Sequence, residues 1–190
     1  MALRQPARCH PRQQGTTLIE QLMLLAIIGT LAGVAVPSMR TLLMRNPVQI
    51  AQTDFIAALQ HARETAITTG KRTLLCPSLD GGRCSDYIRW ETGWLLFQDG
   101  DSDNQPTHGP LYVGRGYGSN LTIQGTVGRH FVRFRPDGSA SGSNLTLVFC
   151  QQGSTDHALT VAVSNPGRIR SASATAKEAA DCTRSNEPKG

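Results

Sequence analysis

Aromatic side chains are scarce in this chain: Phe, Trp and Tyr together supply 5% of its 190 residues, whereas glycine alone contributes 19. That scarcity, with plentiful Ser and Thr, argues against a helical bundle and for many short strands joined by turns. Acidic residues are missing from positions 1–14, which carry Arg4, Arg8 and Arg12. No C-x-x-C pair exists, which removes the usual zinc spacing. His61, His108, His130 and His157 stand at no metal-ligand spacing and beside no convincing nucleophile. Neither catalytic residues, nor a metal site, nor a cofactor is therefore expected. The run Asp99-Gly100-Asp101-Ser102-Asp103-Asn104 opens like a calcium loop, but Asn104 stands where Gly is needed and Pro110 where Glu is needed. A solvated turn is the better reading.

The formal net charge is +5, and three of those charges are Arg4, Arg8 and Arg12, so the remainder carries only about +2. A field that would attract any polyanion is not implied. A nucleic-acid site would have to be a local cluster.

What is present begins at Gly15-Thr16-Thr17-Leu18-Ile19-Glu20, between the basic leader and an apolar run from Leu18 to Val36. A secretory signal places its apolar region before a small-residue cleavage site. Here the small residue comes first, so a cut after Gly15 keeps the apolar segment. As a helix Leu18–Val36 is about 28 Å long, near the ~30 Å of a bilayer's hydrocarbon. Leader arginines favour an N-terminus-in orientation with the C-terminal part exported. Glu20 within that helix costs several kcal/mol unless it is neutralised, paired or at the headgroup boundary. Gly29 and Gly33 lie four apart on one face, a small-residue spacing that lets helices approach closely. Pro37 and Pro47 each remove a backbone donor and should kink or interrupt the helix.

This order of leader, small residue and apolar helix resembles the class III signal of type IV pilins and type II secretion pseudopilins. The resemblance implies a leader at 1–15, cut by a prepilin peptidase between Gly15 and Thr16. It also implies a role in assembly for Glu20, which would meet the new α-amine of Thr16 on a neighbouring subunit. Pilins usually carry Phe at the first mature position, where this chain has Thr16. N-methylation of Thr16 is left open. The implied location is the bacterial inner membrane, single-pass with a periplasmic C-terminal domain, and then the type IV pilus at the cell surface.

Cys9 falls in the leader, which leaves Cys76, Cys84, Cys150 and Cys182, an even number in a domain placed outside the cytoplasm. Four cysteines permit three pairings. Cys76–Cys84, closing a local loop, with Cys150–Cys182, tying down the tail, is the favoured one.

From Val48 to Thr69 the pattern is amphipathic: Phe55, Leu59, Ala62 and Ala66 recur at helical spacing, with Ile56 and Ile67 widening the stripe. Gln52, Asp54, Gln60, Arg63 and Glu64 fall mostly on other faces, and Gly70 is a candidate C-terminal cap. Beyond Lys71 the period becomes two. Strands are expected at Thr73–Cys76, Tyr87–Phe97, Leu111–Gly114, Leu121–Gln124, His130–Arg135, Leu145–Cys150, Ala158–Val163 and Arg168–Ala172. Pro136-Asp137-Gly138 and Asn165-Pro166-Gly167 read as turns. The fold class is α+β, a long N-terminal helix packed on an antiparallel two-sheet β domain. The divisions expected are 1–15 leader, 16–38 membrane or filament-core helix, 39–70 amphipathic helix, 71–172 β-rich head and 173–190 tail. That tail is polar and expected to be loosely ordered except where Cys182 anchors it.

Leu75-Cys76-Pro77-Ser78 followed by Cys84, then Gly93-Trp94-Leu95-Leu96-Phe97, Phe134-Arg135-Pro136-Asp137-Gly138 and Gly167-Arg168-Ile169-Arg170, resemble the GspH/FimT family over most of residues 15–170. The resemblance implies a type IV pilin-like fold. Members are minor pilins or pseudopilins, whose partners are other minor and major pilins, and some FimT-type members bind DNA during natural transformation.

In an extended segment Arg168 and Arg170 share one side, about 6.6 Å apart. That approximates phosphate spacing along one strand, and the planar arginine fork suits phosphate. Gly167-Arg168-Ile169-Arg170 also resembles the G-R-x-R motif of FimT-type DNA receptors. The resemblance implies DNA contacts at Gly167, Arg168 and Arg170; by charge, Lys177, Arg184 and Lys189 of the tail would extend the patch, with Glu178, Asp181 and Glu187 interleaved. The alternative is a solvated strand end whose arginines only confer solubility, as in a GspH-type pseudopilin or an assembly-priming pilin. No aromatic residue lies beside the pair, so base stacking is not expected and binding would be sequence-independent. Arg129, Arg133 and Arg135 form a second basic group, better read as the polar outer face of a strand.

Overall fold

The computed structural model describes residues 18–100, 102–106 and 108–184; over 32–46 it describes the backbone alone. Gly15 and Thr16 lie outside the described residues. The chain divides into two compact units, Met1–Leu43 and Met44–Gly190.

In the first unit the described backbone is helical. Helix α1 spans Leu18–Thr69, with Glu20 in its first turn. Side chains from Leu18 to Leu31 are exposed, including Leu18, Met23, Leu25 and Leu31. Among the described residues no helix is long and apolar enough to cross a membrane. The expected span Leu18–Val36 runs past Leu31 into positions where only backbone is described. The backbone stays helical through Pro37 and Pro47, so neither proline interrupts it. Each removes one helical donor, a loss a long helix absorbs without ending.

The second unit contains the rest of α1 and eight strands: β1 Thr73–Pro77, β2 Gly93–Gln98, β3 Tyr112–Arg115, β4 Leu121–Gly125, β5 Val132–Phe134, β6 Leu145–Gln151, β7 Leu159–Val163 and β8 Ile169–Ser173. They form two antiparallel sheets, ordered β3-β2-β1-β5 and β4-β6-β7-β8. α1 ends at Thr69 because Gly70 takes φ +65°, the left-handed cap that glycine adopts without steric cost.

The helical stripe places Phe55, Leu59, Ala62 and Ala66 at zero exposure in the main core. There they meet Leu75 and Leu96 from the first sheet and Ile123, Leu147, Phe149 and Val161 from the second. Phe55 is the hub, with ring centroids 5.4 Å from Phe149, 5.7 Å from Trp94 and 5.9 Å from Trp90. Ile67 does not extend the stripe, since it remains 49% exposed at the last turn. Gln52, placed on another face by the sequence pattern, is buried because its Nε2 donates to the Thr160 carbonyl at 2.9 Å. The alternate faces of β1 and β2 bury Leu74, Cys76, Leu95 and Phe97 in a second cluster with Cys84 and Phe131.

One expected strand is split. Tyr87–Phe97 was too long: only Gly93–Gln98 pairs within the first sheet. Residues 88–90 instead reach the second sheet, where Trp90 N donates to Ile123 O at 2.9 Å and Gly125 N to Ile88 O at 3.1 Å. Gly93, at φ +140°, then turns the chain into β2.

The tail also differs from expectation. Helix α2 spans Ala176–Arg184. Its start is a capping box: Thr175 Oγ1 accepts from Glu178 N, and the Glu178 carboxylate accepts from Thr175 N at 2.8 Å. Those hydrogen bonds from Thr175 hold the Glu178 carboxyl below its ordinary value. α2 buries Ala179 and Cys182 against Cys150 and Ala158. Disulfides join Cys76 to Cys84 and Cys150 to Cys182.

Candidate nucleic-acid interface

The hairpin joining β7 to β8 turns through Ser164-Asn165-Pro166-Gly167. Gly167 N donates to Ser164 O at 2.7 Å, and Ser164 N to Arg168 O at 3.0 Å. Gly167 is buried at φ +80°, and a Cβ built on it would lie 1.9 Å from the carbonyl oxygen of Gly138. Both the dihedral and the contact exclude a side chain.

Gly138 closes a second turn, in which it donates to Arg135 O and Arg135 N donates to Ser139 O, each at 2.8 Å. Pro136 fits the second position of that turn through its fixed φ. Asp137 Oδ1 accepts from Ser139 N at 2.9 Å, which holds its carboxyl below the usual range. The two turns are tied by Ala140 N donating to Asn165 O at 2.8 Å. From α1, Arg63 Nε donates to Gly138 O at 3.0 Å.

Immediately beyond Gly167 the chain becomes extended. Ile169 packs on the core, and Arg168 and Arg170 project into solvent on either side of it in sequence. Arg168 stands just before β8 and Arg170 within it, and β8 is an edge strand. Neither forms an ion pair with another described residue. With Gln60, Arg63, Glu64, Ile67 and Thr68 of α1 they line an open groove of about 500 Å³. Two unpaired forks beside a solvent-filled groove can each donate bidentate hydrogen bonds to a phosphate or carboxylate.

Lys177 and Arg184 are not brought to this groove. Both ride on α2, which packs over β6 and β4, across the sheet from β8. Arg184 is also compensated by Asp181 at 3.0 Å. Two members of the second basic group are occupied structurally, and Arg135 is exposed. Arg133 donates to Asn104 Oδ1 at 2.6 Å and lies 5.0 Å from the Phe131 ring centre, and Arg129 donates to Gly142 O at 2.7 Å. Arg63 is the groove residue that the helical pattern puts on a solvated face. Its only sequence signal is a cation at helical spacing near the end of α1, because its partner carbonyl is 75 residues away.

A long helix whose C-terminal part packs with two antiparallel sheets, with disulfides outside the main core, defines a pilin-type protein. A family model described as type II transport protein GspH matches residues 51–167. The chain belongs to that family, one of minor pilins and pseudopilins. It is 42% identical over 121 residues to a Pseudomonas aeruginosa protein described as a fimbrial protein, an alignment covering 60% of this chain and 76% of the relative. Its fold is similar to the type IV minor pilin FimU of Pseudomonas aeruginosa, with TM-score 0.56 and 22% identity over 70% of this chain and 92% of that one. It is also similar to the minor pseudopilin EpsH of the type 2 secretion system of Vibrio cholerae, with TM-score 0.50 and 15% identity over 67% of this chain and 98% of that one.

Proposed function

We propose that this chain is a minor type IV pilin of FimT type that binds double-stranded DNA through its phosphate backbone during DNA uptake. The observation that carries this reading is the pair Arg168 and Arg170, both exposed, without ion-pair partners among the described residues and lining an open groove at an edge strand. A site with two to four phosphate contacts gives weak, sequence-independent binding with a log–log salt slope of about −2 to −4. Avidity from other pilus subunits then raises the effective affinity.

In the same reading the prepilin peptidase cuts after Gly15, and the apolar stretch from Leu18 anchors the protein in the inner membrane with its head in the periplasm. The Thr16 α-amine meets Glu20 of a neighbouring pilin as the subunit joins the fibre. Glu20 in the first helical turn of α1 supports this, since an acid there faces the positive end of the helix dipole.

The test is fluorescence anisotropy of the full chain in detergent with a labelled duplex, titrated at several salt concentrations. The wild type should bind with the slope given above. The double variant R168A/R170A should lose about two units of that slope at unchanged melting temperature. An unaltered titration in that variant removes the DNA site. A second reading, a GspH-type pseudopilin or assembly-priming pilin without DNA contacts, is supported by the family description and the fold likeness to EpsH. It predicts no salt-dependent duplex binding by the wild type.

A further inference from the structure

We infer that Arg63 is a third phosphate contact of the groove beside Gly167. The assignment rests on the DNA reading above and extends it from one wall of the groove to both. Arg168 and Arg170 come from the β7–β8 hairpin, whereas Arg63 comes from α1 and lines the same cavity.

Its geometry separates two tasks within one side chain. Nε is committed, donating to Gly138 O at 3.0 Å, and a Cβ on Gly167 would lie 3.2 Å from that same nitrogen. The guanidinium therefore lies against the backbone of Gly167, directly before Arg168. The terminal nitrogens Nη1 and Nη2 have no hydrogen-bond partner among the described residues. An arginine anchored at Nε has already lost much of its rotamer freedom, so less is lost when its outer edge takes a phosphate. Gly167 acquires a third reason to be glycine: it leaves the space the guanidinium fills. Glu64 is the acid of the groove, one position along α1, and its charge opposes the anion. Three cations against one carboxylate leave the groove net positive.

The R63Q variant distinguishes contact from positioning. The amide nitrogen of glutamine stands at the same point along the side chain as arginine Nε, so it can keep the bond to Gly138 O while the charge and outer nitrogens are gone. R63K keeps the charge and lacks a donor at that point. In duplex titrations of the full chain in detergent, R63Q should lower the magnitude of the salt slope by about 1 and weaken binding several-fold at ~100 mM salt. Its melting temperature should stay near that of the wild type, and R63K should keep the wild-type slope. A wild-type slope in R63Q, while R168A/R170A loses about 2, overturns the assignment and leaves the DNA reading standing. Lowered slopes in R63Q and R63K alike, with both melting temperatures reduced, also overturn it, because Arg63 then only holds the turn. A wild-type slope in R168A/R170A removes the DNA reading and this inference together.

Discussion

Gly167 and Gly138 interlock: the carbonyl oxygen of one occupies the space where a Cβ of the other would stand, 1.9 Å away. The two turns are 29 residues apart in sequence and fixed as one unit at the end of the head. G167A must therefore both displace Gly138 and force alanine into φ +80°. We expect a loss of about 1–3 kcal/mol, read as a lowered midpoint in thermal or denaturant unfolding. If the arginines act as proposed, duplex binding weakens in the same variant because Arg168 follows directly on the displaced residue.

The parts of this arrangement that local chemistry dictates were legible in the sequence. Pro136-Asp137-Gly138 and Asn165-Pro166-Gly167 announce turns, and the stripe Phe55, Leu59, Ala62 and Ala66 announces a buried helix face. Gly167 and Gly138 both take positive φ, and all four stripe residues are fully buried. What could not be read were pairings made across the chain. Nothing near Arg63 says that its partner is the carbonyl of residue 138, nor does the segment 87–97 say that its first half crosses to the other sheet. The capping box of α2 is a different case: Thr175-x-x-Glu178 was present as a signal. Its polar surroundings hid it, because the helix buries only Ala179 and Cys182.

Phe55 ties α1 to both sheets through Trp94 and Phe149. Its ring is fully buried, so F55A removes buried apolar area and leaves a cavity between rigid sheets. The expected cost is about 3–5 kcal/mol. Equilibrium denaturation of the variant checks it, and a loss below about 1 kcal/mol would mean that the core closes over the gap.

The Cys150–Cys182 bridge closes a loop with a sequence separation of 32 and holds a helix that otherwise buries one alanine. C182S should destabilise the head by about 2–4 kcal/mol, with amide exchange accelerating first in residues 176–184. Breaking Cys76–Cys84, with a separation of 8, should cost less, since a shorter loop constrains the unfolded chain less. Exchange rates and unfolding midpoints of the two single-bridge variants decide the order.

The capping box makes the stability of α2 depend on pH in a definite direction. Hydrogen bonds from Thr175 hold the Glu178 carboxyl below the ordinary glutamate range. A depressed folded-state value means that the contribution is complete above about pH 5, where the unfolded chain's carboxylate is already ionised. It fades as pH falls through the lowered folded value, because the neutral carboxyl accepts from the Thr175 amide more weakly than the carboxylate does. Glu178 is a half-buried residue at the start of a short terminal helix, so the effect stays local to the helix and small in the global midpoint. Amide exchange in residues 177–183 should therefore speed up relative to β6 between about pH 5 and 3. E178Q keeps an acceptor oxygen but no titrating group, and should flatten that dependence. A wild-type profile in E178Q would show that the acid sensitivity of α2 arises elsewhere.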